Sequence, residues 1–194
     1  THVVIDVNGY FTAPSGFRPL APDRALDTRG PAGTELVLPA GTITSVPVVG
    51  RPGVDPSSGT VVLNVTVDGA TARGFVTAFP CGAQRPNASN LNFSSGVAVA
   101  NAVIAKIGDG GAVCLFNSAP AHLVVDVNGS FSSSSRFAGA VPVRLADSRN
   151  GAATVDGISR GGGIHAAGSV RAVQVTGRGG VPLSATSALL NITV

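Results

Sequence analysis

Asp6 and Asp126 are the carboxylates most open to a chemical role, because each stands within an otherwise apolar run. A buried carboxylate is costly unless a cation or several hydrogen bonds compensate it. Proteins use such groups as general acids or bases, or as metal ligands. Asp27 and Asp147 raise the same question, because each is flanked by arginines. The four residues therefore allow acid–base chemistry, metal binding or a purely structural role.

A repeated phrase in the sequence favours one of these roles over the others. Its copies are Ile5-Asp6-Val7-Asn8, Leu63-Asn64-Val65-Thr66, Val125-Asp126-Val127-Asn128 and Leu190-Asn191-Ile192-Thr193, and the central Asp or Asn recurs after 58, 62 and 65 residues. Asn92 likewise stands where Asp27 and Asp147 stand in a second repeated phrase. An amide can accept a hydrogen bond as a carboxylate does, but it cannot act as a general acid or base. The sequence thus favours structural hydrogen-bond positions over catalytic acids.

Two arginines repeat together with these acids. Arg24, Asp27 and Arg29 map at an offset of 120 onto Arg144, Asp147 and Arg149. We therefore predict structural polar nodes at Asp6, Asn64, Asp126, Asn191, Asp27, Asn92, Asp147, Arg24 and Arg144. We predict no catalytic residue, no metal ligand and no cofactor, and we expect that the chain is not an enzyme.

The repeats also divide the chain. A Phe-x4-Pro marker recurs in step with the first phrase, at Phe17, Phe75 and Phe137. Residues 1–11 match residues 121–131 at an offset of 120, and Gly50–Val54 reappear as Gly177–Val181 at an offset of 127. A fixed period of this length is typical of module arrays. We predict that 1–11 is the final strand of a preceding repeat, 17–131 a complete long repeat of two units (17–67 and 73–131), and 137–194 the first unit of the next repeat.

Each unit has the composition of β structure, because short runs rich in Val, Ile, Thr and Leu alternate with Gly, Pro, Asn and Ser. The predicted strands are Val3–Val7, Glu35–Leu38, Thr42–Val48, Thr60–Val67, Phe75–Phe79, Asn90–Phe93, Ala102–Ile107, Val113–Phe116, His122–Val127, Ser169–Val175 and Ser187–Val194. Asn8-Gly9 and Asn128-Gly129 suit tight turns. The predicted fold is all-β, a tandem array of antiparallel modules near 60 residues that form sandwich-like pairs; three units closing as a pseudo-threefold β-prism are the alternative.

Composition agrees with a folded all-β chain. An apolar fraction of 44% can supply a core. No run is long enough to span a membrane as a helix, and no signal peptide is visible. Since the chain contains no Met and starts within a repeat, we expect it to be an internal piece of a longer protein.

Two further features of the composition bear on compartment and partners. Cys81 and Cys114 lie in the same unit, and we predict a disulfide between them in an oxidising compartment, with two buried thiols as the alternative. The net charge of +3 comes from scattered arginines, and only 5% of the residues are aromatic. Nucleic-acid binding, which needs clustered basic residues with stacking aromatics, is therefore not expected.

Several segments resemble the repeats of large secreted or cell-surface proteins of actinobacteria. They are Phe17–Arg29, Val61–Val67, Pro80-Cys81-Gly82, Arg85–Phe93 and Leu123–Gly129. The resemblance covers essentially the whole chain. It implies an exported, cell-surface, non-catalytic array and brings no catalytic residues with it.

These observations predict an extracellular structural repeat protein that forms a rod, stalk or filament on the cell surface, with adhesion as a further role. Its expected partners are neighbouring copies of the same repeat, and Val3–Val7 is expected to pack with the following unit. A carbohydrate-binding module is the alternative, with Tyr10, Asn8 and Asn128 on turn tips as its glycan contacts. The third possibility is that the chain is part of a secreted enzyme.

Overall fold

The fold is known from a computed structural model, which describes residues 16–31 and 36–193. Within these ranges eight strands form two antiparallel four-stranded sheets. The strands are β1 (Phe17–Asp27), β2 (Thr42–Pro47), β3 (Ser58–Asp68), β4 (Gly74–Pro80), β5 (Leu91–Phe93), β6 (Val99–Lys106), β7 (Ala112–Asn117) and β8 (His122–Ser132). The order is β1-β8-β3-β6 in the first sheet and β2-β7-β4-β5 in the second. The prediction of an all-β protein is confirmed.

The alternation of side chains along the strands builds the core between the two sheets. In β3, Leu63 and Val65 are fully buried, whereas Asn64 between them is only partly covered. Successive side chains of a strand point to opposite faces, so one face of the sheet is apolar and packs against the facing sheet. β7 supplies Val113 and Leu115 to the same core. None of the described residues belongs to a helix long and apolar enough to cross a membrane.

The two units predicted from the sequence, 17–67 and 73–131, share this core. β8, from the second unit, lies between β1 and β3, which come from the first. Asn64 of β3 is directly opposite Asp126 of β8, and Val65 is opposite Val125. The two copies of the repeated phrase are thus antiparallel neighbours. Residues 17–132 form one sandwich, and the described strands make two sheets, not the three of a prism.

β1 is a strand that the sequence did not predict. It contains Pro19 and Pro22, and its pairing with β8 is irregular between Pro19 and Asp23. Proline cannot donate a hydrogen bond to the sheet, so prolines within strands are confined to edges and irregular positions. β1 lies at the edge of its sheet, where both prolines are tolerated.

Two predicted strands of the last unit are wrong. Ser169–Val175 and the described part of Ser187–Val194 are irregular, although they match β2 and β3 at the offset of 127. β2 pairs with β7, and β3 lies between β6 and β8. The described residues 137–193 contain no strands equivalent to β6, β7 and β8. Ser169–Val175 and the described part of Ser187–Val194 therefore have no strand to pair with among them. The partners of β2 and β3 in the sandwich, by contrast, all come from residues 73–132.

Two smaller predictions also fail. Asn128-Gly129 lies inside β8, not in a turn: Gly129 is opposite Val62 while Val127 is opposite Leu63, so Asn128 forms a β-bulge. Leu38 forms an isolated bridge with Ala121 instead of ending a strand. Val3–Val7 and the Asn8-Gly9 turn lie outside the described residues.

The chain enters and leaves the sandwich at the same end. Phe17, at the start of β1, is in register with Phe131 near the end of β8, and their ring centroids are 4.9 Å apart. The ring of Phe137, where the last unit begins, stacks on Phe131 at 4.6 Å. The segments before and after the sandwich therefore both join it at the Phe17–Phe131 pair.

A disulfide joins Cys81 to Cys114, as predicted. Cys114 lies in the centre of β7, opposite Phe79 of β4 and Ser45 of β2. Cys81 follows the last residue of β4 directly. The bond thus fixes the end of β4 to the central part of its neighbouring strand.

Candidate functional site

The predicted polar nodes Arg24, Asp27 and Asp126 meet on the outer face of the first sheet. Arg24 comes from β1 and is opposite Asp126 of β8. Its Nε donates to Asp126 Oδ1 at 2.5 Å, and its Nη1 donates to Asp27 Oδ2 at 2.5 Å. One guanidinium therefore connects the repeated Asp of β8 to the repeated Asp that ends β1.

Asp27 is further held by Arg29. The Arg29 Nε and Nη2 atoms donate to the two carboxylate oxygens at 3.0 and 2.9 Å, and the Arg29 backbone N–H donates to Oδ1 at 3.1 Å. These hydrogen bonds to Arg29 hold the pKa of Asp27 well below its ordinary value. An aspartate with such a pKa stays ionised at neutral pH and cannot serve as a general acid there.

The last unit repeats this arrangement around Asp147. Arg144 Nη1 donates to Asp147 Oδ2 at 3.0 Å, and Arg149 donates through Nε and Nη2 at 3.0 and 2.7 Å. The hydrogen bonds from Arg149 lower the pKa of Asp147 to about 2. The pairing of the aspartate with its two neighbouring arginines thus forms even where the described residues make no sheet.

The amide members of the repeat make different contacts. Asn64 donates to Thr66 Oγ1 at 3.4 Å, and Asn92 donates to Thr193 Oγ1 at 3.5 Å. Asn191 donates to the backbone oxygen of Ser89 at 2.6 Å. The copies of the second repeated phrase lie in different sheets. Asp27 is the last residue of β1 in the first sheet, whereas Asn92 lies in β5 of the second. Asp6 lies outside the described residues.

Arg51 is a structural residue to which the sequence assigned no role. Its Nε donates to the Pro47 backbone oxygen at 2.9 Å, its Nη2 donates to Ala25 O at 3.0 Å, and its Nη1 donates to Asp23 at 2.7 Å. These bonds tie the loop after β2 to the edge strand β1. The signal available in the sequence was the repeated Gly-Arg-x-Gly-Val.

Arg178, the counterpart of Arg51, makes the matching contacts in the last unit. Its Nη1 donates to Gln174 O at 2.7 Å and its Nη2 donates to Leu145 O at 2.8 Å. Gln174 and Leu145 are the counterparts of Pro47 and Ala25. Asp156 adds a two-point ion pair, with Nε–Oδ2 at 2.7 Å and Nη2–Oδ1 at 2.8 Å. The guanidinium lowers the pKa of Asp156 to about 2.

The residues suggested for glycan binding do not form a described site. Asn128 lies in the bulge of β8 and not at a turn tip, and its Oδ1 atom is buried with no hydrogen-bond donor among the described residues. Tyr10 and Asn8 lie outside the described residues. Within 16–31 and 36–193, no three His, Cys, Asp or Glu side chains come together as a metal site would require.

No family model, curated protein or solved structure was found to match this chain.

Acidification tests the electrostatic role of Asp27. Its folded-state pKa lies below the ordinary 3.8, so its contribution to stability is complete above that value and is lost as the pH falls towards the folded pKa. We expect Asp27→Asn to lower the urea midpoint at pH 6 and to make the loss of stability between pH 5 and pH 2 shallower than in the wild type. Far-UV circular dichroism, which reports the strands of the sandwich, measures both.

The matched control for this prediction is Asp147→Asn. Asp147 has the same arginine contacts but lies outside the sandwich, so the control should leave the pH dependence of the strand signal unchanged. Equal pH profiles for wild type and Asp27→Asn would show that the Asp27 node does not stabilise the fold.

Proposed function

We propose that this chain is part of an extracellular structural repeat protein that forms a stalk or filament on the cell surface. The observation that carries the proposal is the exposure of apolar residues in 137–193, a segment whose sequence repeats the first half of the sandwich. Leu63 and Val65 are fully buried in β3, whereas their counterparts Leu190 and Ile192 are 53% and 81% exposed. Ile164, Val170 and Leu183 are exposed as well. Apolar surface on this scale is typical of a protein that is covered by a neighbouring element.

The arginine contacts support the view that this last unit is the same module begun again. Arg178 reproduces the backbone contacts of Arg51, and Arg144 with Arg149 reproduces the node of Arg24 with Arg29. A unit that builds its local turns but leaves its core residues exposed needs the second half of a repeat. Repeat proteins gain stability in this way, since each unit buries its apolar face against its neighbours.

The disulfide supports an extracellular location. Cys81 and Cys114 are joined within the sandwich, and structural disulfides persist in oxidising environments outside the cytosol.

The positions of the first and last residues of the sandwich indicate how its neighbours in such an array would be attached. Because Phe17 and Phe131 lie side by side, both neighbours of a sandwich would attach at one of its ends. The sandwiches would then project from a line of junctions, not stack end to end. The acidic and amide nodes have a structural role in this proposal, since Arg24 connects Asp126 of β8 to Asp27 of β1.

Immunogold labelling tests the location. Antibodies raised against the folded chain should label the outer surface of intact cells that produce it, and brief protease treatment of those cells should remove the label. Label that appears only after the cells are permeabilised would refute the proposal.

A further inference from the structure

We propose that Phe17, Phe131 and Phe137 belong to an aromatic row that runs from each sandwich to the next and fixes the direction of the connector between them. The inference rests on the proposed repeat organisation and concerns the junction between successive repeats. β8 ends at Ser132, and residues 133–136 connect it to Phe137. Three of these four residues are serines, a composition that is typical of a flexible linker. The contacts of this connector are nevertheless those of a fixed segment.

The three rings form a continuous row at one end of the sandwich. Phe17 and Phe131 pair across β1 and β8, with ring centroids 4.9 Å apart and ring planes inclined by 41°. Phe131 also stacks on Phe137, with centroids 4.6 Å apart and planes inclined by 26°. Aromatic rings in such contact attract each other beyond the burial of their apolar surface. One contact of the row therefore lies within the sandwich, and the other joins the sandwich to the unit that follows.

Backbone hydrogen bonds hold the start of the connector on the sandwich. The Ser132 N–H donates to Gly16 O at 3.1 Å, so the segment that leaves β8 lies beside the segment that enters β1. The Ser133 N–H donates to Ser57 O at 2.7 Å, in the loop before β3. The connector is thus bound at two places on the sandwich before it reaches the next unit.

A turn within the connector brings Phe137 back to the sandwich. The Ser135 N–H donates to Ser132 O at 3.0 Å, which closes a β-turn. The Ser135 hydroxyl donates to Phe137 O at 3.0 Å. The turn therefore returns the chain so that the ring of Phe137 meets that of Phe131, six residues earlier.

Beyond Phe137 the chain passes so close to the sandwich that there is no room for a side chain. A Cβ atom on Gly139 would overlap Thr60 Oγ1 and would lie 3.3 Å from Lys106 Cβ. Thr60 of β3 is opposite both Lys106 of β6 and Phe131 of β8. Since side chains that are opposite each other lie on one face of a sheet, Phe137 and Gly139 contact the same face of the first sheet.

The spacing of the phenylalanines recurs in the sequence, which provides an argument independent of these contacts. Phe11 precedes Phe17 by six residues, as Phe131 precedes Phe137. Of the five residues between the members of each pair, only one is identical at the offset of 120. Phe11 itself lies outside the described residues. The two ring positions and the connector length are thus retained while the connector sequence changes, which favours a role for the rings over one for the residues between them.

Backbone ¹⁵N relaxation, measured by NMR spectroscopy on the whole chain, tests the proposal. The order parameters of residues 135–139 should be near about 0.85 in the wild type, the value of rigid backbone. In Phe137→Ala they should fall below about 0.6, the range of flexible backbone, because the connector loses its contact with Phe131. Phe137→Tyr, which keeps the ring, should retain the wild-type values. The order parameters of β8 should be the same in all three proteins.

Arg136→Ala is the matched control, since its exposed side chain directly precedes Phe137; it should leave the order parameters of the connector unchanged. Values below about 0.6 for residues 135–139 in the wild type, or equal values in the wild type and Phe137→Ala, would overturn the proposal. Either result leaves the surface labelling of intact cells unaffected, so failure of this inference and failure of the proposed function can be told apart.

Discussion

Replacing Leu63 by alanine is expected to lower the free energy of unfolding by about 3–5 kcal/mol, the usual cost of removing a fully buried leucine side chain from a well-packed core. Leu63 lies in β3, the strand between β6 and β8, and its side chain is fully buried in the core between the two sheets. Small domains are stabilised by about 5–15 kcal/mol in total. The substitution should therefore remove a large share of the stability. Urea unfolding followed by circular dichroism measures the loss.

Leu36→Ala is the matched control for Leu63→Ala. Leu36 belongs to the same unit, but its side chain is 59% exposed. This control should change the free energy of unfolding by no more than about 0.5 kcal/mol. Equal effects of the two substitutions would show that the space between the sheets is not the main core.

Removing the disulfide with Cys81→Ala/Cys114→Ala is expected to cost about 3–4 kcal/mol, because a bond that closes a loop of this length restricts the unfolded chain by that amount. The two cysteines are 33 residues apart. The thermal midpoint should fall by roughly 10 °C or more in a domain of this size. Differential scanning calorimetry of the oxidised wild type and the variant measures this difference.

Reduction provides the control for the disulfide prediction. Dithiothreitol should lower the midpoint of the wild type to that of the double variant and should leave the variant unchanged. A reductant effect on the variant itself would mean that the destabilisation does not come from the bond between Cys81 and Cys114.

The sequence predicted seven of the eight described strands, both central and edge ones, and missed β1. β3 and β8 both have buried aliphatic residues at every second position along much of their length. β1 was missed because its two prolines argue against a strand, and its edge position, which makes them acceptable, depends on the other strands. The alternation of residues along the sequence was therefore enough to predict strands such as β3 and β8, but not β1.

The pairing of distant strands could not be predicted from the sequence. Ser169–Val175 and Ser187–Val194 carry almost the same pattern as β2 and β3, yet their described residues are irregular, because a strand exists only with a partner. The repeats related Asn64 to Asp126, but they gave no sign that the two residues lie opposite each other in one sheet. Which strands pair with each other depends on the packing of the whole chain, and a short sequence pattern does not determine it.

The polar nodes were only partly accessible to sequence reasoning. The alternation of Asp and Asn argued for structural contacts from an arginine or from backbone amides, and Asp126 forms an ion pair with Arg24. The contacts of Arg51 and Arg178 were not foreseen, since their acceptors are mainly backbone oxygens whose positions follow from the fold. Asn64 and Asn191 do not use the partners of the aspartates that they replace.

Negative-stain electron microscopy tests the proposed array on protein released from the surface of cells that produce it. We expect elongated particles in which globular beads of the size of one sandwich recur along a thin line, each bead attached at one end. Isolated compact particles without a repeating spacing would contradict it.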